Sequence, residues 1–430
     1  MPTPVDVKQA VGSDRRGWAW RALAHRNFAL FFAGQGLSLC GTWMQSLAQA
    51  WLVYRLTGSP FLLGLTEFMS RAPILLFGLL GGLLADRWPR HRVMIATQTL
   101  SLLQAAALAV LTLTGQITIE WVLGLATFIG IVNAVDIPAR HAFVTDLVPR
   151  SVIPSAIGLN SSAFNAARII GPTVAGMLVV TVGEGVCFLL NALSFLIVIG
   201  CLLAMRVEKT HRTSESGAAR FLAEGLRYAW HTPHVRALLT VVTVLSFFAM
   251  AYSTLLPVFA GAILKTGPHG LGILMAATGL GALIGALQIA QRRRVQGLGT
   301  TIAIAVALFG AGQIVLAASS TLWLSIPALL AIGYGMLISL AGTNTLLQSL
   351  APETLRGRVM SLYAMVSLGF TTVGSLLAGL GATYLSTPIT VAAGGLITLI
   401  ASALFYRALP GIRQHIREHH LLPPEELATS

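Results

Sequence analysis

The feature that most constrains this chain is a series of apolar runs, each long enough to cross a lipid bilayer as a helix. Such a helix needs roughly 20 apolar residues, and by that measure the chain holds about twelve spans. With 55% hydrophobic and only 10% charged residues among 430, the chain cannot bury all of its apolar surface in the core of a soluble protein. The sequence therefore predicts an all-α membrane protein. We place the twelve transmembrane helices near residues 27–52, 61–84, 93–114, 119–137, 154–181, 186–205, 236–260, 270–290, 300–318, 321–346, 359–385 and 388–408.

The net charge of +13 follows the membrane topology. Alternate connections between the spans hold almost all the basic residues, among them Arg87, Arg90, Arg140 and Arg150, whereas Arg55 and Lys265 fall on the opposite side. Because loops rich in Lys and Arg stay in the cytoplasm, both termini are predicted to be cytoplasmic. We expect a multi-pass protein of a bacterial cytoplasmic (inner) membrane, with the lipid bilayer and not nucleic acid as its partner.

One long polar connection, from Val207 to Pro233, divides the spans six and six. The predicted units are an N-terminal bundle with its tail at 1–206, a linker at 207–235 and a C-terminal bundle with its tail at 236–430. Within the linker, apolar residues from Phe221 to Trp230 are spaced for a helix lying on the membrane surface.

The two halves of the sequence resemble each other at a nearly constant offset. Shifted by 203 positions, Gly171 and Gly176 fall on Gly374 and Gly379. Such a repeat favours duplication of one six-helix unit, and transporters built from repeats hold their sites where the repeats meet.

Metal, cofactor and nucleotide chemistry is not indicated. Cys40, Cys187 and Cys201 lie in predicted helices, and the ten His residues lie in loops, tails or helix ends. No phosphate-binding loop motif occurs, so ATP is not indicated as the energy source. We expect no metal, no cofactor and no enzymatic activity.

A short cationic connection, GGLLADRWPRHRVM from Gly81 to Met94, joins the second and third spans. It resembles the corresponding loop of the major facilitator superfamily. That resemblance implies a conformational latch of Gly82, Asp86, Arg87 and Arg90, joined by Asp136 at a similar depth. The alternative is that these are solvated loop charges that only set topology.

Further strings resemble one branch of that superfamily, which contains the enterobactin exporter and macrolide efflux proteins. They include NFALFFAGQGLSLC from Asn27, DIPARHAFVTDLVPR from Asp136 and LRGRVMSLY from Leu355. The fifth span resembles the superfamily's antiporter signature at Gly158, Ala167, Gly171, Pro172, Ala175 and Gly176. The resemblance implies two pseudo-symmetric six-helix bundles and export, although close packing of small residues would also explain that spacing.

Charged residues within the spans are the first candidates for function, since an Arg at mid-depth costs at least ~3 kcal/mol on insertion scales. Arg71 and Arg168 lie near mid-depth, and Glu67 precedes Arg71 by one helical turn. Three roles stay open: a structural Glu67–Arg71 pair, attraction of an anionic group of the substrate by the two arginines, or proton binding by Glu67. Asp136 is a second candidate for proton coupling.

Polar and aromatic residues of the spans are the candidates for contact with a substrate. Each alone is explained as well by helix packing, but together they suit a flat, partly polar molecule. Besides Arg71 and Arg168, they are Gln35, Trp43, Gln45, Asn133, Asn165, Tyr252, Gln288, Asn344, Gln348 and Phe370.

These observations predict a secondary active transporter that works as a monomer by alternating access. We expect proton-coupled efflux of a small amphipathic drug or siderophore-like metabolite. The alternatives are an importer or a lipid or lysolipid transporter of the same fold and, from another class, a polytopic membrane enzyme such as an acyl transferase.

Overall fold

A computed structural model describes residues 20–206, 226–249, 252–292 and 295–418, without the side chains of residues 79, 83, 85, 86, 249, 354 and 415–418. The N-terminal tail before residue 20, most of the predicted linker and the end of the C-terminal tail lie outside these ranges. Within them the chain forms twelve long helices and no strand, which confirms the predicted all-α class.

The helices are α1 (Arg26–Thr57), α2 (Pro60–Arg87), α3 (Arg90–Leu113), α4 (Ile119–Asp146), α5 (Ile153–Val182), α6 (Glu184–Leu203), α7 (Pro233–Ile263), α8 (Gly267–Gln291), α9 (Leu298–Ala318), α10 (Leu322–Leu350), α11 (Glu353–Tyr384) and α12 (Thr387–Glu418). Residues 226–231 form a further short helix in the predicted linker.

Eleven of these helices are long and apolar enough to cross a membrane by length and composition. The helix outside that set is α1, which is 32 residues long but carries buried polar side chains such as Gln35 and Gln45. It packs among the other spans, so these polar residues face protein, and Gln45 finds hydrogen-bond partners there that lipid does not offer.

Two helix ends differ from the sequence-based prediction. The fourth span was predicted to end near residue 137, but α4 runs through Pro138 to Asp146. The twelfth was predicted to end near residue 408, and α12 reaches Glu418 through Pro410. Hydropathy marks where a helix leaves the apolar layer, and both helices continue as charged turns beyond that point.

The connections between helices define two ends of the molecule. The basic end is the one at which α2 joins α3 and α4 joins α5, with Arg87, Arg90 and Arg150 nearby. The far end is the one at which α1 joins α2 and α5 joins α6, and its connections are short. Gly58, for example, turns the chain between α1 and α2 with a φ of 60°, a value that glycine adopts without strain.

Helix packing repeats between the two halves. In the first half α2 packs on α4, and α3 packs on α6; the equivalent pairs six helices later, α8 on α10 and α9 on α12, pack in the same way. The two most extensive contacts between the described parts of the halves are equivalent too, since α5 packs on α8 while α2 packs on α11. The predicted pair of pseudo-symmetric six-helix bundles is therefore present.

Candidate functional site

The far end is closed by two glycine crossings between the bundles. In the first crossing, a Cβ built on Gly64 of α2 would lie 3.1 Å from the Cα of Gly379 on α11. In the second, a Cβ built on Gly176 of α5 would lie 3.0 Å from the Cα of Gly272 on α8. Only residues without a side chain let backbones approach this closely. The offset between Gly176 and Gly379 is the one that the sequence repeat predicted.

Residues of the predicted antiporter signature in α5 pack against two different helices, α1 and α8. Gly171 lies against α1, where an added Cβ would be 2.6 Å from the Cβ of Trp43, and its repeat partner Gly374 lies against Phe247 on α7. The carbonyl oxygen of Pro172 instead faces Gly272 on α8. Ala167 and Ala175 are buried, whereas Gly158 is exposed with open space around it.

The contact between bundles stops near mid-depth. Along α5 and α8 its last glycine contact joins Gly279 to Ile169, and along α2 and α11 it joins Leu75 to Gly369. Nearer the basic end, residues on the same sides of these helices, Ser161 on α5 and Ala290 on α8, are exposed. The described helices thus enclose a cleft that is closed at the far end and open at the basic end.

Arg168 lies at the closed top of this cleft. On α5 it falls between the side that meets α1 through Gly171 and the side that meets α8 through Ile169. Its Nε and Nη2 atoms are buried and have no hydrogen-bond partner. It interacts electrostatically with Tyr252 of α7, which is buried and shares a side-chain hydrogen bond with Thr278. The site therefore holds a cation without a described carboxylate beside it.

Aromatic rings stand one turn from Arg168 toward the basic end. Trp43 of α1 meets Phe164 edge to face, with ring centroids 5.8 Å apart. Asn165 lies on the side of α5 that continues the α8-facing surface, and its amide donates to the carbonyl of Ser161 at 2.9 Å. Trp43, Asn165 and Arg168, all predicted to contact a substrate, are thus neighbours.

Glu67 and Arg71 form an ion pair on α2. The Nε and Nη2 atoms of Arg71 both lie 2.5 Å from Oε1 of Glu67. Both side chains are partly exposed. Arg71 lies on the side of the helix that carries Gly64 and Leu75, and this side contacts α11. The pair thus lies at the boundary between the two bundles, between two close contacts.

Several predicted contact residues lie elsewhere in the first bundle. Gln45 accepts a hydrogen bond from Asn191 at 2.8 Å and donates to Gln104 at 3.0 Å, which joins α1, α3 and α6 in a buried network. Gln35 is also buried, with its Oε1 atom unpartnered. Asn133 on α4 is half-buried. The Gln45 network is closed within its own bundle and does not face the cleft.

The predicted residues of the second bundle form two polar pairs near the basic end and one aromatic cluster. Gln288 of α8 accepts a hydrogen bond from Tyr334 of α10, while Gln348 donates to Asn344 at 2.6 Å. Phe370 meets Phe247 edge to face, with centroids 5.9 Å apart.

The predicted latch differs from what the structure describes. Asp136 was expected to end the fourth helix at a depth similar to that of Asp86, but α4 continues past it and the side chain is buried inside the first bundle. There it accepts hydrogen bonds from Thr97 at 2.7 Å and Gln98 at 2.9 Å and pairs with Arg140.

The other members of the predicted latch lie at the basic end. Arg90 donates to Asp146 at 2.8 Å, while Arg87 is exposed and Gly82 has open space around it. The side chain of Asp86 is outside the described part.

Several of these contacts were not predicted from the sequence. At the far end Arg55 binds Glu184 at 2.7 Å, an ion pair that joins α1 to α6. Asp146 was not considered, because the fourth span was predicted to end before it. The hydrogen bonds of Tyr334 and Asn191 could not be predicted, since polar residues recur in every span and the partners of these two are far away in sequence.

Among the described residues, no group of three or more His, Cys, Asp and Glu side chains is arranged to hold a metal ion. What the site offers is a cleft between two equivalent bundles, a buried guanidinium at its closed top and an ion pair at its seam.

Comparison with known proteins agrees with this architecture. A family model described as transmembrane secretion effector, within the major facilitator superfamily, matches residues 17–429. The chain belongs to this family. It is therefore a multi-span membrane transporter, and its relatives are transporters and not enzymes.

Two relatives illustrate the sequence similarity. The staphyloferrin A transporter of Staphylococcus aureus is 26% identical over 379 residues, which cover 87% of this chain and 94% of the relative. The multidrug efflux pump Tap of Mycolicibacterium fortuitum is 28% identical over 391 residues, covering 86% and 93%.

Solved structures share the fold at low identity. A POT family transporter in complex with a thioalcohol conjugated peptide has a TM-score of 0.74 at 13% identity, over 90% of this chain and 96% of that one. A bacterial homolog of the human lysosomal transporter Spinster has a TM-score of 0.66 at 13% identity, over 92% and 98%.

Proposed function

We propose that this secretion effector exports a small amphipathic molecule, a drug or a siderophore-like metabolite, by alternating access coupled to inward proton flow. The observation that carries the proposal is the cleft, which lies between equivalent bundles and is closed at one end by backbone crossings that can part. Relatives named as an efflux pump and a staphyloferrin A transporter support export of such a molecule. Both bundles belong to one chain, so a monomer contains the whole cleft.

The distribution of charge supports an orientation in a bacterial cytoplasmic membrane. Described basic residues of the basic end are Arg21, Arg26, Arg87, Arg90, Arg92, Arg140, Arg150, Arg206, Arg227, Arg236, Arg292, Arg356, Arg358, Arg407 and Arg413, against Arg55 and Lys265 at the far end. By the positive-inside rule the basic end faces the cytoplasm, with both termini. In that orientation the cleft is open inward, ready to take its cargo from the cytoplasm.

Glu67 is the residue we propose to carry the proton. As a carboxylate it holds Arg71 at the seam between α2 and α11, and protonation would remove the charge that fixes this pair. Arg71 would then be free to change partners when the two helices part. The sequence proposed Asp136 as well, but that residue is buried and satisfied inside one bundle, away from the moving surface.

Uptake of cargo into inside-out vesicles tests direction and coupling together. The cargo is first identified with a strain that lacks the gene, which is screened for hypersensitivity to toxic compounds and for loss of secreted siderophore. An exporter concentrates that cargo inside inside-out vesicles when their lumen is acidified and stops when a protonophore is added. Cargo that instead enters right-side-out vesicles would identify an importer.

The coupling residue is tested by Glu67→Gln in the same vesicles. We expect the variant to lose proton-driven accumulation while still binding cargo, because Gln cannot release a proton. Glu120→Gln is the matched control, since Glu120 is exposed at the far end of α4. Full proton-driven accumulation by Glu67→Gln would remove Glu67 from the mechanism.

A further inference from the structure

We propose that Arg168 is an anion-binding residue and that the cargo is an amphipathic carboxylate, with its acid group on the guanidinium and its apolar body on the neighbouring rings. This inference rests on the proposed function, because it assigns a ligand to the same cleft. It adds the chemical class of the cargo, which neither the family nor the relatives determine.

The first support is the unpaired state of Arg168. Two of its guanidinium nitrogens are buried and bond to nothing, although a buried charge is normally paired with an opposite charge. Three described carboxylates of the helices already pair with other arginines, Glu67 with Arg71, Asp136 with Arg140 and Glu184 with Arg55, and no ion pair among the described residues includes Arg168. An unpaired guanidinium at the boundary between the bundles is therefore available to an anion from outside the protein.

The second support is position. Arg168 lies where the packing between the bundles ends, beside Gly279 of α8 and Tyr252 of α7. A ligand bound there touches α5 of one bundle and α7 and α8 of the other, so it senses their relative position. A structural arginine buried inside a single bundle would not have this property.

The third support is the surroundings. Guanidinium groups bind carboxylates through two parallel hydrogen bonds, which suits a planar acid group. Toward the open end, Trp43 and Phe164 offer ring surface, and Asn165 offers an amide. A molecule with an acid group on an aromatic or aliphatic body fits this arrangement, since its acid group would bind Arg168 at the closed end and its apolar body would contact the rings nearer the open end.

Matched acid and ester probes test the inference on the purified full-length protein. The probes are amphipathic aromatic carboxylates, headed by 1-pyrenebutyrate and 2-naphthylacetate, each beside its methyl ester, with ethidium as a cationic probe. Affinity is read from the rise in thermal unfolding midpoint as each compound is titrated. We expect the acids to bind about tenfold to hundredfold more tightly than their esters, the range for hydrogen bonds to charged groups.

Substitution of Arg168 then tests whether the difference in affinity between acid and ester depends on this residue. Arg168→Gln should weaken acid binding to the level of the ester, while Arg168→Lys keeps part of the preference. Arg236→Gln is the control, because it removes one positive charge from an exposed position at the basic end. Should Arg168→Gln fold poorly, the acid and ester comparison on the native protein still tests the preference for a carboxylate, and Arg168→Lys, which should bind the acid more weakly than native protein, tests the role of Arg168.

The outcomes separate the two proposals. Equal binding of acid and ester, or binding of ethidium and esters but not acids, would overturn the carboxylate site and leave amphipathic efflux in place. Acid binding that survives Arg168→Gln would overturn the role of Arg168. Failure of every probe to bind the native protein would count against the proposed function itself.

Discussion

A side chain added at Gly176 should force the far end open. In the described state, a Cβ at this position would lie 3.0 Å from both the Cα of Gly272 and the carbonyl oxygen of Pro268. Ordinary contacts are several tenths of an ångström longer, and neither obstacle is a side chain that can rotate away. Gly176→Val is therefore compatible only with bundles that have moved apart at this end.

The size of the effect follows from the cost of overpacking, about 1 to 3 kcal/mol for a well-packed site. As that cost falls only on the far-end-closed state, the ratio of closed to open molecules should drop by about 5-fold to 150-fold. Spin labels at Val182 and His269, which are exposed on the two sides of the seam, report this change as a longer distance in Gly176→Val.

The control is Gly200→Val, because Gly200 is an exposed helical glycine with open space around it. It should leave the Val182–His269 distance unchanged. An unchanged distance in folded Gly176→Val, with no loss of cargo transport, would refute the reasoning that this crossing holds the far end closed.

Three further substitutions are predicted to separate structural residues from transporting ones. Gln45→Ala leaves buried partners unsatisfied and should cost about 1 to 3 kcal/mol of stability by thermal unfolding, with cargo affinity retained. Asp136→Asn removes the charge paired with Arg140 and should lower the unfolding midpoint without changing the pH dependence of transport; a shifted pH profile would contradict this. Glu184→Gln weakens an ion pair in which the Glu184 side chain is 8% exposed and that of Arg55 is 50% exposed; because the charge left behind on Arg55 keeps its contact with solvent, the cost should stay at about 1 kcal/mol in chemical unfolding.

Much of the architecture could be predicted from the sequence, because the bilayer imposes length and polarity on every span. The repeat offset between Gly176 and Gly379 predicted equivalent positions, and the structure places both in crossings between bundles. The spacing of Glu67 and Arg71 likewise indicated neighbours on one helix turn, and they form an ion pair.

The orientation of polar residues could not be predicted in the same way. In a soluble helix an apolar stripe marks the buried side, but a span apolar all around gives no such signal. The sequence therefore indicated Gln45 and Asn165 equally as substrate contacts, although Gln45 lies inside a bundle and Asn165 lies near Arg168. The burial of Asp136 was missed because the apolar run ends near residue 137, whereas the helix continues to Asp146.

The most direct test of alternating access is the sidedness of a single cysteine in the cleft. In protein with Cys40, Cys187 and Cys201 replaced by Ser, Asn165→Cys is exposed to a membrane-impermeant maleimide in sealed vesicles of known orientation. Alternating access predicts labelling only from the side of the basic loops, and labelling from the opposite side once Gly176→Val is added. Labelling from both sides in one state, or an unchanged side in the double variant, would contradict it.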